Sequence, residues 1–418
     1  MSTLSRRRLL QAGAGLVPAI ALGARPAMAE AAAAIPTTGV VPAALAGFDT
    51  AMKTYIAERD ISCAQLAVAK NGKILLARGY GSYLKGSTST LVQPTSLLRI
   101  ASLSKSLTAA ALARLAQDGK VSLGTKVSSL LGLSTTADPR LANVTLWRLL
   151  QHTGGWDRDA AYDPLWYDQT ISTSLGVPLP IDHADIMKYV TARKLDFAPG
   201  AKYVYSNYGY MLAGRVIEKL SGMSYESYVR QKLLAPVGIT RPRLGRSLRA
   251  QAFATEAPYE SQYTRKSVVD DTGAVVPYPY GGFNMPNQDA NGGWVASAVD
   301  LVKWGFVFDA PGAVLNQTSI SRVFAKPETG VNSGGSWYGL GWHVRNNNVG
   351  TLNTWHNGSM PGTFSFLARV QNGVSYCAIF NRREEAGTPD FDAIDPILGK
   401  AIGTVKTWPT TDLTSRYF

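Results

Sequence analysis

Cysteine is scarce in this chain. Cys63 and Cys377 are the only two in 418 residues, too few for the disulfide frameworks that staple small secreted domains. Buried free thiols are the expectation, with a single bridge as the alternative. Histidine occurs four times, at His152, His183, His343 and His356. None stands in a His-Glu-x-x-His spacing or beside a cysteine pair, which leaves a zinc site without ligands, so neither metal nor cofactor is expected. No Gly-x-Ser-x-Gly occurs, and with it the nucleophile turn of the α/β-hydrolases is missing. Charged residues make up 17% of the chain with a formal net charge of +13. The lysines and arginines are scattered, with no run interleaved with aromatics as a nucleic-acid surface needs, so no nucleic-acid partner is expected. The uncharged stretch from Leu9 to Ala24 falls short of the roughly 20 apolar residues that span a bilayer.

What is present begins with Ser5-Arg6-Arg7-Arg8-Leu9-Leu10, a Gly/Ala-rich stretch, and Ala27-Met28-Ala29 just beyond Arg25. That order is that of a signal peptide over residues 1–29, of the twin-arginine type, and it predicts an exported protein in the periplasm or outside the cell, with an uncleaved anchor as the alternative. Loss of Arg6, Arg7, Arg8 and Arg25 with no acid takes the charge from +13 to +9. Residues 30–44 are small, unpatterned and punctuated by proline, and read as a linker.

Two hairpins are predicted near opposite ends. Gln65 to Ala69 and Lys73 to Arg78 flank Asn71-Gly72, while Thr363 to Val370 and Val374 to Phe380 flank Asn372-Gly373, and Asn-Gly accepts the left-handed conformations a tight turn requires. Helical periodicity fills the middle, over Ser102 to Asp118, Thr145 to Gln151, Asp182 to Arg193, Asn207 to Leu220 and Tyr225 to Leu234. It fades from Arg241 to Gly293 into an irregular loop system, and a last helix is expected from Phe391 to Val405. The sum is an α/β architecture: an antiparallel sheet built from both chain ends, flanked by helices, with a mostly helical lobe over about residues 120–293 inserted into it. The domain would run from 45 to 405, followed by a tail at 406–418, with a ligand cleft at the junction of the lobes.

Three stretches carry candidate chemistry. Ser102-Leu103-Ser104-Lys105 opens a predicted helix, where three-residue spacing sets a hydroxyl and an amine on one face. The helix N-terminus favours the anionic intermediate of acyl transfer, and a lysine whose pKa is lowered can serve as base. By itself the spacing equally fits a capping serine and a solvated lysine. Tyr205-Ser206-Asn207 precedes another helix, so Asn207 also fits an N-cap and Tyr205 a packed aromatic. His356-Asn357-Gly358-Ser359 starts a late strand, where the glycine would let backbone approach a substrate.

In this order, Ser-x-x-Lys, Tyr-x-Asn and His-x-Gly resemble the serine β-lactamase and penicillin-binding protein superfamily in its class C-like branch, where Ser-x-x-Lys is an acyl-enzyme motif. The likeness extends to Asp118-Gly119-Lys120, to Thr145 through Trp156, to Gly292-Gly293-Trp294 and to Tyr338-Gly339-Leu340-Gly341-Trp342. The resemblance implies a β-lactamase/transpeptidase-like fold, with Ser102 as nucleophile, and Lys105 and Tyr205 as a proton-shuttling pair. It further implies Asn207, His356, Gly358 and Ser359 as substrate-binding, with the backbone N–H groups of Ser102 and Ser359 forming an oxyanion hole. His356 departs from the lysine many relatives carry, and neutral imidazole grips a carboxylate less well. The resemblance therefore implies a carboxylesterase or D-amino-acid-type peptidase acting on an ester, amide or short peptide, ahead of an efficient β-lactamase. A cell-wall-fragment binding or sensing protein with negligible turnover is the alternative. Trp156, Tyr162, Trp166, Tyr167, Tyr278 and Tyr280 are candidates for an apolar pocket, or equally for core packing.

Overall fold

A computed structural model describes residues 24–347 and 350–418. The expected signal peptide lies outside the described residues except for its last six positions, which belong to a helix over Ala24–Ala34.

Among the described residues nine strands form one antiparallel sheet. In chain order they are β1 (Thr37–Val40), β2 (Cys63–Lys70), β3 (Lys73–Lys85), β4 (Thr88–Leu91), β5 (Ser336–Tyr338), β6 (His343–Asn346), β7 (Leu352–Met360), β8 (Thr363–Val370) and β9 (Val374–Phe380). They pair in the order β1-β3-β2-β9-β8-β7-β6-β5, with β4 added on β3. The N-terminal and C-terminal hairpins thus meet where β2 pairs with β9. The Asn-Gly turns work as their chemistry requires: Asn71, Gly72, Asn372 and Gly373 all have positive φ, between 50° and 74°.

Both faces of the central strands are buried, which is why their sequences are almost continuously apolar. Val374, Tyr376, Ala378 and Phe380 of β9 face a core closed by the helices Ala46–Glu58 and Ile394–Thr404. The alternate residues Cys377 and Ile379 face the larger core under the inserted helices. Cys63 and Cys377 are both free and buried. Cys377 sits opposite Ala67 in the register, four residues along β2 from Cys63, a separation of roughly 13 Å at the strand rise, so no bridge can close.

Three expectations need correction. The supposed linker holds β1, which pairs with β3 from Thr37↔Tyr80 to Val40↔Ala77; at Gly39 a Cβ would lie 2.2 Å from the Ala77 carbonyl oxygen, so glycine lets this edge strand dock. The supposed tail is tied down: Leu413 N–H donates to Ile74 O at 2.8 Å and the Arg241 guanidinium donates to Tyr417 O at 2.6 Å. The cap of the Asn207–Ser221 helix is Ser206, whose side chain accepts from Gly209 N–H, so the Asn207 side chain is not used as the cap. Between the two halves of the sheet the chain is mainly helical to Leu234, largely irregular to about residue 293, and helical again over Ala298–Gly305 and Gln317–Val323. No helix among the described residues is long and apolar enough to cross a membrane.

Candidate active site

The turn before Lys105 is strained and tightly held. Ala101 has φ +45°, a left-handed conformation that costs a residue with a Cβ of order 1–3 kcal/mol and persists only where the surroundings over-determine it. Ile100 N–H donates to Trp294 O at 3.0 Å. The hydroxyls of Thr363 and Ser365 on β8 donate to the carbonyls of Arg99 and Ile100, each at 2.8 Å. Ser102 therefore sits in a short 3₁₀ turn, Ala101–Leu103, and the α-helix proper starts two residues later than expected, over Ser104–Gln117.

At Ser102 the two expected partners converge. Tyr205 Oη donates to Ser102 Oγ at 2.8 Å, and Lys105 Nζ lies 3.1 Å from the same oxygen. Lys105 is fully buried. Its other two contacts are pure acceptors, Asn207 Oδ1 at 2.8 Å and the Asn291 carbonyl at 2.7 Å. Burial pushes the Lys105 amine well below its ordinary pKa, with Asp163 opposing and Arg158 reinforcing the shift. The Tyr205 phenol is raised by burial, a shift its bond to Ser102 partly offsets. As an ammonium Lys105 has three N–H groups for its three oxygen partners, Ser102 Oγ, Asn207 Oδ1 and the Asn291 carbonyl; loss of one proton would leave two N–H groups for the two carbonyl acceptors and a lone pair for Ser102.

Asn207 is placed differently from the expectation. Its Oδ1 accepts from Lys105 while its Nδ2 donates to Asp163 Oδ2 at 2.5 Å, so both ends of the amide are used within the protein. His356 also departs from its expected substrate-binding role. It lies in the middle of β7 and is 1% exposed. Nε2 meets Tyr338 Oη at 2.8 Å and Nδ1 meets the Asn357 carbonyl. Burial holds its imidazole well below the usual pKa, so it is neutral, with Nδ1 donating and Nε2 accepting. Strand alternation turns His356 and Gly358 inward and leaves Asn357 and Ser359 on the cleft side.

Gly358 is the point of closest approach. A Cβ there would be 2.5 Å from the Ile100 carbonyl oxygen and 3.0 Å from Ser102 N. The open cleft in front, about 780 Å³, is lined by Ser102, Arg158, Tyr203, Tyr205, Asn357 and Ser359 among others. The six candidate pocket aromatics are not in this lining; Trp156 packs edge-on against Tyr208, and Trp166 against Tyr278 and Phe283.

Several residues at the site escaped the sequence reading. Asp163 fixes the Asn207 amide. Arg158 stacks 4.6 Å from the Tyr205 ring centroid. His152 packs its ring 4.3 Å from Tyr205 and 4.4 Å from Tyr338 and accepts from Ser206 N–H at 3.0 Å, which holds the Tyr205 segment in place. Tyr338 and His152 belong to stretches that carried the family likeness, and that was the available signal. Asp163 and Asn291 left none, because they reach the site only through long-range folding.

A family model described as Beta-lactamase matches residues 48–398. The crystal structure of the D-amino acid amidase from Ochrobactrum anthropi SV3 complexed with L-phenylalanine amide is similar at a TM-score of 0.65 and 22% identity, covering 87% of this chain and 99% of that one. The octameric penicillin-binding protein homologue from Pyrococcus abyssi is similar at a TM-score of 0.63 and 24% identity, covering 85% of this chain and 77% of that one. At these identities the likeness establishes the fold. A curated relative, the probable fimbrial assembly protein FimD of Dichelobacter nodosus, is 34% identical over 164 residues, 39% of each chain, so the match spans about two fifths of that relative's length.

Proposed function

The chain belongs to the Beta-lactamase family, and from that premise we propose that it is an exported serine hydrolase that acts on an ester, amide or short peptide through an acyl-enzyme on Ser102. The observation that carries this reading is the convergence on one hydroxyl of a fully buried amine at 3.1 Å and a phenol at 2.8 Å. Lys105, neutral through burial, takes the Ser102 proton as Oγ attacks the substrate carbonyl carbon. The backbone N–H groups of Ser102 and Ser359 receive the oxyanion. Tyr205, protonated because burial raises its pKa, gives its proton to the leaving alcohol or amine as the carbonyl–heteroatom bond breaks, and is reprotonated from Lys105. Water then attacks the acyl carbon as it loses a proton to the same pair; the bond to Ser102 Oγ breaks, the pair returns that proton to Oγ, and the acid product leaves.

The D-amino-acid-type amidase or peptidase and the carboxylesterase stand ahead of the β-lactamase in this reading. At the position where many relatives carry lysine, His356 is neutral and turned inward, so β7 offers no ammonium to a substrate carboxylate. The paired arginines Arg6-Arg7 and the Ala27-Met28-Ala29 site support export.

The test is a hydrolysis panel of short-chain aryl esters, a chromogenic cephalosporin, a D-Ala-D-Ala peptide and D-amino acid amides, run with the parent and with Ser102→Ala. Turnover lost in the variant and mass added to Ser102 by a fluorophosphonate are the expected results. Turnover kept by Ser102→Ala overturns the reading. Labelling by a penicillin that persists for hours without turnover of any substrate would make the chain a binding or sensing protein instead.

A further inference from the structure

A second hollow adjoins the cleft before Ser102 at its aromatic wall. Tyr203 and His343, which line the cleft, also line this hollow of about 310 Å³ behind them, bounded by Pro327, Val331, Trp337 and Tyr338. The two spaces share a wall of two rings, and the second lies further along the sheet edge formed by β5 and β6. Its character is unlike that of the cleft. Tyr203 and Tyr338 stand with ring centroids 6.0 Å apart, and Trp337 is buried with its indole N–H satisfied by Phe324 O at 2.9 Å, so it offers the hollow carbon surface.

Two of the large apolar side chains that the protein leaves exposed sit on this wall: Val331 at 50% and Tyr203 at 41%. Exposed apolar surface gathered in a concavity beside a catalytic group marks a ligand site more often than a scattered apolar residue does. Formal charge is nearly absent. Lys202 is held by Asp157 at 2.8 Å, and burial pushes the His343 imidazole down to about 4, which keeps it neutral. An apolar cavity of about 150 Å³ is enough to hold benzene, so this one has room for a ring and the bonds that attach it.

We propose that the hollow behind Tyr203 and His343 is a specificity subsite for an uncharged aryl or branched-alkyl group of the substrate. It rests on the Ser102 hydrolase reading and supplies the substrate class that reading leaves open: esters or amides with an apolar group within a few bonds of the scissile carbonyl. Apolar burial there replaces the carboxylate grip that His356 does not provide.

The experiment uses the full chain and three esters followed by pH-stat: methyl acetate, methyl phenylacetate and benzyl acetate, which place the ring on neither side, the acyl side or the alcohol side. At least one ring-bearing ester should exceed methyl acetate by tenfold or more in kcat/KM. Val331→Asp, at an exposed position outside the catalytic cleft, should cut that preference at least tenfold through KM and leave methyl acetate unchanged. Val331→Leu should retain the preference, with both variants melting as the parent does. Equal turnover of all three esters by the parent, or a Val331→Asp variant with the parent's preference, overturns the subsite alone. No turnover of any ester by the parent counts against the hydrolase reading and removes the subsite with it.

Discussion

Gly358→Ala tests whether the strand carrying Ser359 and the turn carrying Ser102 form one catalytic unit. The added Cβ would stand 2.5 Å from both the Ile100 carbonyl oxygen and Ser365 Oγ, and 3.0 Å from Ser102 N, where ordinary contact begins at 3.4 Å. Side-chain rotation does not relieve this, because Ser365 Oγ is itself bonded to the Ile100 oxygen at 2.8 Å and the other two atoms are backbone. The strand must therefore retreat from the turn by roughly 0.9 Å. A displacement near 1 Å in an aligned site costs on the order of 10²-fold in rate, and loss of one oxyanion donor about 10²–10³-fold. The expected result is a fall in kcat of roughly 100-fold, or about 2.7 kcal/mol of barrier, with KM little changed. Overpacking of about 1–3 kcal/mol should lower the melting temperature by a few degrees and leave the protein folded. The assay is kcat on an ester that Ser102→Ala does not hydrolyse, beside the rate of fluorophosphonate labelling and a thermal melt. A folded Gly358→Ala with kcat within threefold of the parent would refute the claim that this contact sets the oxyanion geometry.

Two further predictions follow from the groups around Lys105 and from the buried imidazoles. Asp163 accepts from Leu165 N–H with one oxygen and from Asn207 Nδ2 with the other, so Asp163→Asn, with a single acceptor oxygen, loses one bond and frees the Asn207 amide to turn. kcat should drop about 10- to 100-fold, and the acid limb of kcat/KM should move to lower pH, because Asp163 holds the Lys105 pKa up; an unmoved limb would leave Asp163 a merely structural role. His343 has its pKa pushed from 6.5 to about 4 by burial, so on acidification the unfolded chain takes up this proton first. Stability should begin to fall near pH 6.5 and lose up to about 3 kcal/mol from this group by about pH 4, with His152 and His356 shifted in the same direction. Urea midpoints at pH 7 and 4.5 measure it; a level midpoint, or a His343→Phe variant that is just as acid-sensitive, would contradict the assignment.

The features legible in the sequence were those with local causes. Asn71-Gly72 and Asn372-Gly373 announce hairpins because the turn itself demands those residues, and β8 and β9 run over Thr363–Val370 and Val374–Phe380, the two stretches flanking the second turn. Ser102 and Lys105 sit one helical turn apart, so spacing alone brings them together. β1 was hidden because a four-residue edge strand with no buried residue shows no alternation. β5 and β6 are just as short, and what makes them strands is long-range pairing, of β6 with β7 and of β5 with β6. The Asn207 side chain was misplaced for a related reason: its orientation is decided by Asp163, 44 residues away, and no window of sequence contains both.

The electrostatics of the cleft tie these particulars to substrate choice. A lysine base must be neutral to accept the Ser102 proton, and each nearby cation helps to keep it so; Arg158 does this from the cleft lip, while burial does most of it. A charged lysine at position 356 would add to that effect and also hold an anionic substrate. The imidazole there is instead committed to Tyr338 and to the Asn357 carbonyl, and taking up a proton would bring an unpaired charge into a buried aromatic setting, at a cost of several kcal/mol. The inner wall of the cleft is thus held neutral by packing. Arg158 is the cation that remains at the lip, and the Tyr205 face already takes up one side of its guanidinium. Discrimination then falls to shape and apolar area, and the adjoining space with exposed apolar area is the one that Val331 and Tyr203 enclose.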